Sequence, residues 1–504
     1  MKVTVDKFSG QSKFNSDTLA FCDYKNKKTL LAELDKKFGS IISEFIKINS
    51  FDFEVGSSLV IPLSKQNKVS PAFKSVKRII LIGLGSGDAE TGKLRKAYAA
   101  LIRQAKAQKA EKLAIWQAKD SALAAETSVL INYQFTKYKK KAEKKKPELK
   151  EVKLYDSKTN PALKKAVKNS VVIAESTCIA RDLVWEPACA VTPSYLAKEA
   201  KKIKAKTIKV SIKEAAECKK LGMGAFLAVA QGADEPPKFI EFTYTPTGKV
   251  KKHIALVGKG VTFDSGGLSL KPPKAMEMMK EDMAGSAAII GIMNAISQLQ
   301  PSGVKITAII AATENMPSGK AYRPGDVIKA MNGKTIEVNN TDAEGRLTLA
   351  DAVAYASTKN PDEIIDFATL TGACVVALGN VAAAIMSNDE RLTQDLKNSA
   401  SQTGELVWQL PLFDEYKESL KSSIADLINA GSKGKAGSQN GALFIQEFVG
   451  NKKSSKNGSK DSGEQIPWAH FDIAGPCWFD QDMDWSPKGA SGIPVRTVLN
   501  YILN

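Results

Sequence analysis

From about residue 169 to the end, short apolar runs with strand character alternate with longer runs of helical spacing, and no other feature limits the architecture as much. Residues 253–257, 304–310 and 363–368 read as strands, and 285–299 and 346–357 as helices. Strands separated by helices need crossover connections, which build a largely parallel sheet covered by helices. We therefore expect an α/β chain with a larger C-terminal domain over 170–504, built on a central mixed, mostly parallel sheet. A smaller N-terminal α/β domain is expected over 1–160.

In the smaller domain, Arg78-Ile79-Ile80-Leu81-Ile82 reads as a buried strand. It leads through Gly83-Leu84-Gly85-Ser86-Gly87-Asp88 into a helical pattern from Lys93 to about Lys109. The Gly-x-Gly-x-Gly spacing lacks the full dinucleotide fingerprint, so a tight strand-to-helix turn is expected. Residues 137–150 are lysine-rich, with Lys139-Lys140-Lys141 and Lys144-Lys145-Lys146, and read as a solvated connection near the domain boundary. Beyond it, 171–181 reads as a helix. Glu186-Pro187 then breaks the chain, and Thr192 caps the next helix with Pro193 in its first turn.

Composition excludes more than it assigns. A hydrophobic share of 43% and a charged share of 25% are those of an ordinary globular chain. The six cysteines form no Cys-x-x-Cys pair, which suits a reducing compartment. No apolar signal segment opens the chain, and no apolar run reaches the roughly 18 residues that span a bilayer. A cytoplasmic location and no membrane partner are expected. The net charge of +18 would attract anions without identifying one; with the lysine-rich stretch it is compatible with the alternative function, a DNA-binding regulatory role.

The chain has only two histidines, His253 and His470, so a three-histidine metal site is impossible. A Ser-His-Asp arrangement would need one of them, and no Gly-x-Ser-x-Gly elbow is present. Both read as structural. Acidic residues cluster instead, in two segments. The first runs from Val257-Gly258-Lys259-Gly260 through Asp264-Ser265-Gly266-Gly267 and Lys271 to Glu281-Asp282. Its strand is expected to end near Gly258, and ligands of open α/β sheets bind just beyond strand ends. The second is Asn340-Thr341-Asp342-Ala343-Glu344-Gly345-Arg346-Leu347, preceded by a hairpin turn at Asn332-Gly333. Asp342 and Glu344 share a face in extended backbone. Thr341 and Glu344 alternatively fit a helix capping box, and Asp282 a helix N-terminus. Gathered together, Asp264, Asp282, Asp342 and Glu344 would repel one another strongly, and divalent cations are the simplest neutralising partner.

These motifs resemble those of the leucyl aminopeptidase (cytosol aminopeptidase) family. The octapeptide from Asn340 to Leu347 is similar to the family signature, and Val257–Gly267 to its other metal-binding stretch. Ala368-Thr369-Leu370-Thr371-Gly372-Ala373 and His470-Phe471-Asp472-Ile473-Ala474-Gly475 match as well. The resemblance covers about 170–504.

It implies two divalent ions, manganese, zinc or magnesium, held by Lys259, Asp264, Asp282, Asp342 and Glu344, with Asp264 and Glu344 bridging. It implies Lys271 as oxyanion stabiliser and Arg346 as the holder of a bicarbonate acting as general base. Met279, Asn340, Thr369 and Leu370 would meet the substrate, a peptide with an apolar first residue such as leucine. The implied assembly is a homohexamer, with an oligomerisation or regulatory role for the N-terminal domain. Trp185 and Cys189, and the end of Ala436-Gly437-Ser438-Gln439-Asn440-Gly441, depart from the family pattern and bear on specificity or packing.

Overall fold

The structure is a computed structural model of the 504-residue chain, and it describes all residues except 9–13, 65, 88–89, 141–147, 432–433 and 454–460, and the side chains of 461 and 462. Lys141, Lys144, Lys145 and Lys146 of the lysine-rich stretch therefore lie outside the described residues, as does Asp88. The chain divides into two compact units, one of residues 1–175 with 481–487 and one of 176–480 with 488–504.

The first unit holds a six-stranded sheet of β1 (Lys2–Asp6), β2 (Thr18–Asp23), β3 (Ser58–Pro62), β4 (Arg78–Gly83), β5 (Lys112–Trp116) and β6 (Glu151–Tyr155). The order is β1-β6-β5-β2-β4-β3, with every pair parallel except β3 and β4. Successive side chains of a strand face opposite ways. Ile80 and Ile82 accordingly enter one core with Leu101 and Ile102, while Ile79 and Leu81 enter another with Phe21 and Phe73. That two-sided burial explains the unbroken apolar run. The turn after β4 is as expected, with Gly85 and Gly87 at φ of 74° and 86°, conformations open to glycine and costly to other residues.

The second unit is built on an eight-stranded sheet. Its strands are β7 (Ile208–Lys213), β8 (Lys238–Tyr244), β9 (Lys252–Asp264), β10 (Val304–Asn315), β13 (Glu363–Ala368), β14 (Ala382–Ser387), β15 (Leu406–Gln409) and β19 (Trp468–Asp472). A hairpin of β11 (Val327–Lys329) and β12 (Thr335–Glu337), turning at Gly333, pairs with β16 (Leu427–Ile428) in a small sheet. Two further pairs are β17 (Asn451–Lys453) with β18 (Asp461–Gln465), and β20 (Trp478–Phe479) with β21 (Gly489–Ala490). The main order is β15-β14-β19-β13-β9-β10-β8-β7. Its four central strands, β19, β13, β9 and β10, are parallel, while β8 and β14 run antiparallel to their inner neighbours. The mixed, mostly parallel sheet read from the sequence is the one observed.

Several elements extend past the expected bounds. The helix expected at 171–181 spans Pro161–Trp185, and β9 continues six residues past Gly258 to Asp264. Thr192 caps its helix as expected, its hydroxyl accepting from the Tyr195 amide at 3.3 Å. Helix Ala284–Leu299 lies against β9 and β13 so closely that a Cβ at Gly285 would stand 2.2 Å from the Phe367 carbonyl oxygen. No helix among the described residues is long and apolar enough to cross a membrane.

His253 opens β9 at the end remote from Asp264, its Nε2 2.9 Å from Thr307 Oγ1. Burial, with help from Lys305, pushes its imidazole down to about 4. The unfolded chain titrates this group near 6.5, so between those values the unfolded state binds the extra proton. Stability is therefore intact above pH ~6.5 and lost as pH falls toward ~4. We expect His253→Gln to remove ~2 kcal/mol of that acid sensitivity, a value discounted for partial solvent screening. Denaturant midpoints measured at neutral and acidic pH would show it.

Candidate metal centre

Asp264 closes β9, Asn315 closes β10, the Thr369–Thr371 turn follows β13, and Asp472 closes β19. These strands are parallel neighbours, so their carboxyl ends open on a single edge, where open α/β sheets bind ligands.

Lys259 lies inside β9 rather than beyond it, and it is buried. Its Nζ stands 2.7 Å from Asp282 Oδ1 and 2.8 Å from Glu344 Oε1, and donates to the Thr369 carbonyl at 3.0 Å. Gly345 makes room for it, since a Cβ there would meet Lys259 Nζ at 2.5 Å. After Asp264 the backbone turns through Gly266 and Gly267, at φ of 87° and 64°. This path brings Lys271 back over the strand end, 2.8 Å from Asp264 Oδ2 and 2.6 Å from Asp342 Oδ1. Asp264 Oδ1 accepts from the Gly266 amide at 2.9 Å and from Asn315 Nδ2 at 2.8 Å. Asp282 follows the short 3-10 turn Met279–Glu281 and accepts from Thr369 Oγ1 at 2.8 Å.

Two local readings need correction. Asp342 and Glu344 are not on extended backbone; Asp342 sits in a turn and Glu344 opens the helix Glu344–Thr358. Thr341 does not cap that helix. Its hydroxyl donates to the Gly266 carbonyl at 2.6 Å and accepts from the Ser269 amide at 2.7 Å, tying the two acidic segments together. Asp282 stands beside the N-terminus of the Ala284–Leu299 helix, immediately before its N-cap Met283. Its carboxylate is spent on Lys259 and Thr369.

All five expected ligand residues and Lys271 thus meet in one place, and Asp264, Asp342 and Glu344 offer oxygens lying within 4.8 Å of one another. At an effective dielectric of about 20, two unit charges that close cost ~3 kcal/mol or more. Burial and Glu344 raise Asp264 above the usual carboxylate range, burial raises Asp282 well above it, and burial with Asp264 raises Asp342. Burial alone would lower the two lysines, yet Asp282, Glu344 and Asp264 raise Lys259, and Asp264 and Glu344 raise Lys271. Two ammonium groups among four carboxylates leave two negative charges uncompensated. Asp282 Oδ2 and Glu344 Oε2 are buried without a hydrogen-bond partner. Oxygen atoms of that kind, in a buried anionic cluster, fit hard divalent cations.

Arg346 projects from the first turn of the Glu344–Thr358 helix, and burial pushes its guanidinium down to about 10. Nη1 donates to the Asn429 carbonyl at 2.8 Å, while Nε is buried without a partner, so a donor is left for an anion. Asn340 Oδ1 accepts from the Asp342 amide at 3.0 Å, shaping the turn. Leu370 joins through its amide, which donates to Asp472 at 3.1 Å. Met279 is half-buried, three residues before Asp282.

Three residues that hold the site were not singled out from the sequence. Asn315 anchors Asp264. Asn429 donates to the Asn340 carbonyl at 2.7 Å. Asp472 accepts from Thr371 Oγ1 at 2.6 Å. For Asp472, its place after an apolar strand was the available signal. Neither histidine enters the cluster: His470 Nδ1 is buried 2.5 Å from Asp366 Oδ1.

An acidic, lysine-braced cluster at the carboxyl edge of a mostly parallel α/β sheet is suited to a metal-dependent hydrolase. Comparison with known proteins narrows the class. Residues 178–499 match the profile of the cytosol aminopeptidase family catalytic domain, and 19–142 that of its N-terminal domain. The chain is 41% identical to a "Probable cytosol aminopeptidase" of Thermosynechococcus vestitus, over 97% of each chain. It is 45% identical to one of Prochlorococcus marinus, over 86% of each. A tomato leucine aminopeptidase variant superposes with a TM-score of 0.85 at 35% identity, covering 100% of this chain and 96% of that one. The bottromycin maturation enzyme BotP, in complex with Mn, gives 0.81 at 31%, covering 97% and 99%. The chain belongs to the cytosol aminopeptidase family and is an aminopeptidase.

Proposed function

We propose that this aminopeptidase uses two divalent ions, manganese or zinc with magnesium as a substitute, held by Lys259, Asp264, Asp282, Asp342 and Glu344, to release N-terminal leucine and other apolar residues from peptides. The observation that carries the reading is the cluster itself, with two buried carboxylate oxygens lacking any partner. The manganese in the BotP structure supports the choice of ion.

Bound there, such ions supply a nucleophilic water at neutral pH and polarise the peptide carbonyl. Lys259 orients Asp282 and Glu344 and, as a ligand, gives up its proton. Lys271, fixed by Asp264 and Asp342, presents an ammonium to the oxygen that becomes negative as the carbonyl is attacked. Arg346 has the free Nε donor to hold a bicarbonate that serves as general base. Met279, Asn340, Thr369 and Leu370 line the site for the first residue, the last two fixed by Asp282 and Asp472. A homohexamer is proposed on the same family grounds, and light scattering would test it.

The purified chain with manganese is expected to release leucine from a leucyl peptide and to leave the N-acetylated peptide intact. Equal cleavage of both would refute an exopeptidase that needs a free amine.

A further inference from the structure

Asp282 and Met279 sit on a short 3-10 turn rather than on a regular helix or strand. Its backbone bonds are the Glu281 amide to Met278 O at 2.9 Å and the Asp282 amide to Met279 O at 3.4 Å, the second at the limit of a hydrogen bond. Lys259 and Thr369 tie the end of the turn at Asp282, and a further tie enters from its middle. Between the two residues lies Lys280, whose Nζ donates to the Trp185 carbonyl at 2.8 Å. Trp185 ends the helix Pro161–Trp185. The last carbonyls of a helix lack intrahelical donors and carry the negative end of its dipole, which favours a cation. The same ammonium stands 5.7 Å from the Trp185 ring centroid and 5.5 Å from that of Trp478, within reach of both π faces. The two indoles are 4.4 Å apart. Gly489 admits the Trp185 ring, since a Cβ there would lie 2.0 Å from Trp185 Cζ2.

We infer that Lys280 is a positioning residue, clamped by Trp185 and Trp478, that holds Met279 against the first side chain of the substrate and Asp282 at the metal. Trp185, one of this chain's departures from the family pattern, thereby acquires a function. The inference deepens the proposed function and rests on its reading of Met279 and Asp282.

The test compares Lys280→Met, which keeps the stem and removes the charge, with Lys280→Arg, which can still bond a carbonyl and stack on indoles. Manganese is titrated calorimetrically into the full chain, and KM and kcat are measured with leucyl and alanyl peptides. Positioning partners of metal ligands typically change affinity about 10- to 100-fold. Lys280→Met should weaken one of two manganese ions by that factor and raise KM more for the leucyl than for the alanyl peptide, with Lys280→Arg restoring both. Parent affinities and KM values in Lys280→Met, even with a lower melting temperature, would overturn the inference. Should Lys280→Met fail to fold, Trp478→Leu removes one ring face. A few-fold loss of affinity for the same ion supports the clamp, and no change overturns it. Asp282→Asn separates the two claims. If it keeps both ions, the metal assignment fails. If it loses one while Lys280→Met loses none, only the clamp fails.

Discussion

Glu344→Ala is expected to lower aminopeptidase turnover at least about a thousandfold, ~4 kcal/mol in the barrier at 1.36 kcal/mol per decade. The size follows from what metal ions contribute to charge stabilisation in hydrolysis, several kcal/mol. Glu344 faces Lys259 with one oxygen and leaves the other buried and unpartnered. Alanine would remove both and leave Lys259 with Asp282 and the Thr369 carbonyl. Manganese content should fall together with turnover, and the fold should survive, because the cluster without a full set of carboxylates carries less repulsion. Full activity in this variant would remove Glu344 from the metal centre.

Lys271→Met is expected to behave differently. Removing one donor to a developing oxyanion typically lowers kcat about 10²- to 10³-fold. Lys271 also compensates Asp264 and Asp342, at 2.8 and 2.6 Å. Its loss therefore makes the cluster more negative, and manganese should bind at least as tightly as before. A large fall in kcat with undiminished metal affinity is the expected pattern, read by steady-state kinetics and calorimetry on the same preparation. A parallel fall in metal affinity would instead make Lys271 a support for the ligands.

Much of this site was legible in the sequence because the residues that define it are local. Lys259, Asp264, Asp342 and Glu344 sit in two short segments whose glycines are demanded by geometry, Gly266 by its positive φ and Gly345 by the Lys259 side chain. The strand 363–368 was read with the bounds that it has. Misreadings arose where local rules met longer-range partners. Thr341 fits a capping box by spacing, but Gly266 and Ser269, over 70 residues away, claim its hydroxyl. Asn315, Asn429 and Asp472 act across 51, 89 and 102 residues, separations at which no local pattern exists. The early start of the long helix has a local signal. Asn160 Oδ1 accepts from the Leu163 amide at 2.8 Å with Pro161 next to it, an N-cap followed by proline in the first turn. The strand β9 runs past its expected end near Gly258, through Gly260, to Asp264. The missing side chains of Gly258 and Gly260 admit the Gly285 backbone and the Ile310 side chain.

The central claim is that catalysis depends on divalent ions held by Lys259 and four carboxylates. Metal analysis of the purified chain, coupled to peptide cleavage before chelation, after it and after manganese is returned, tests that most directly. Two ions per chain, loss of cleavage when they are removed, and recovery in proportion to the ions restored are expected. Undiminished cleavage by a metal-free chain would contradict it.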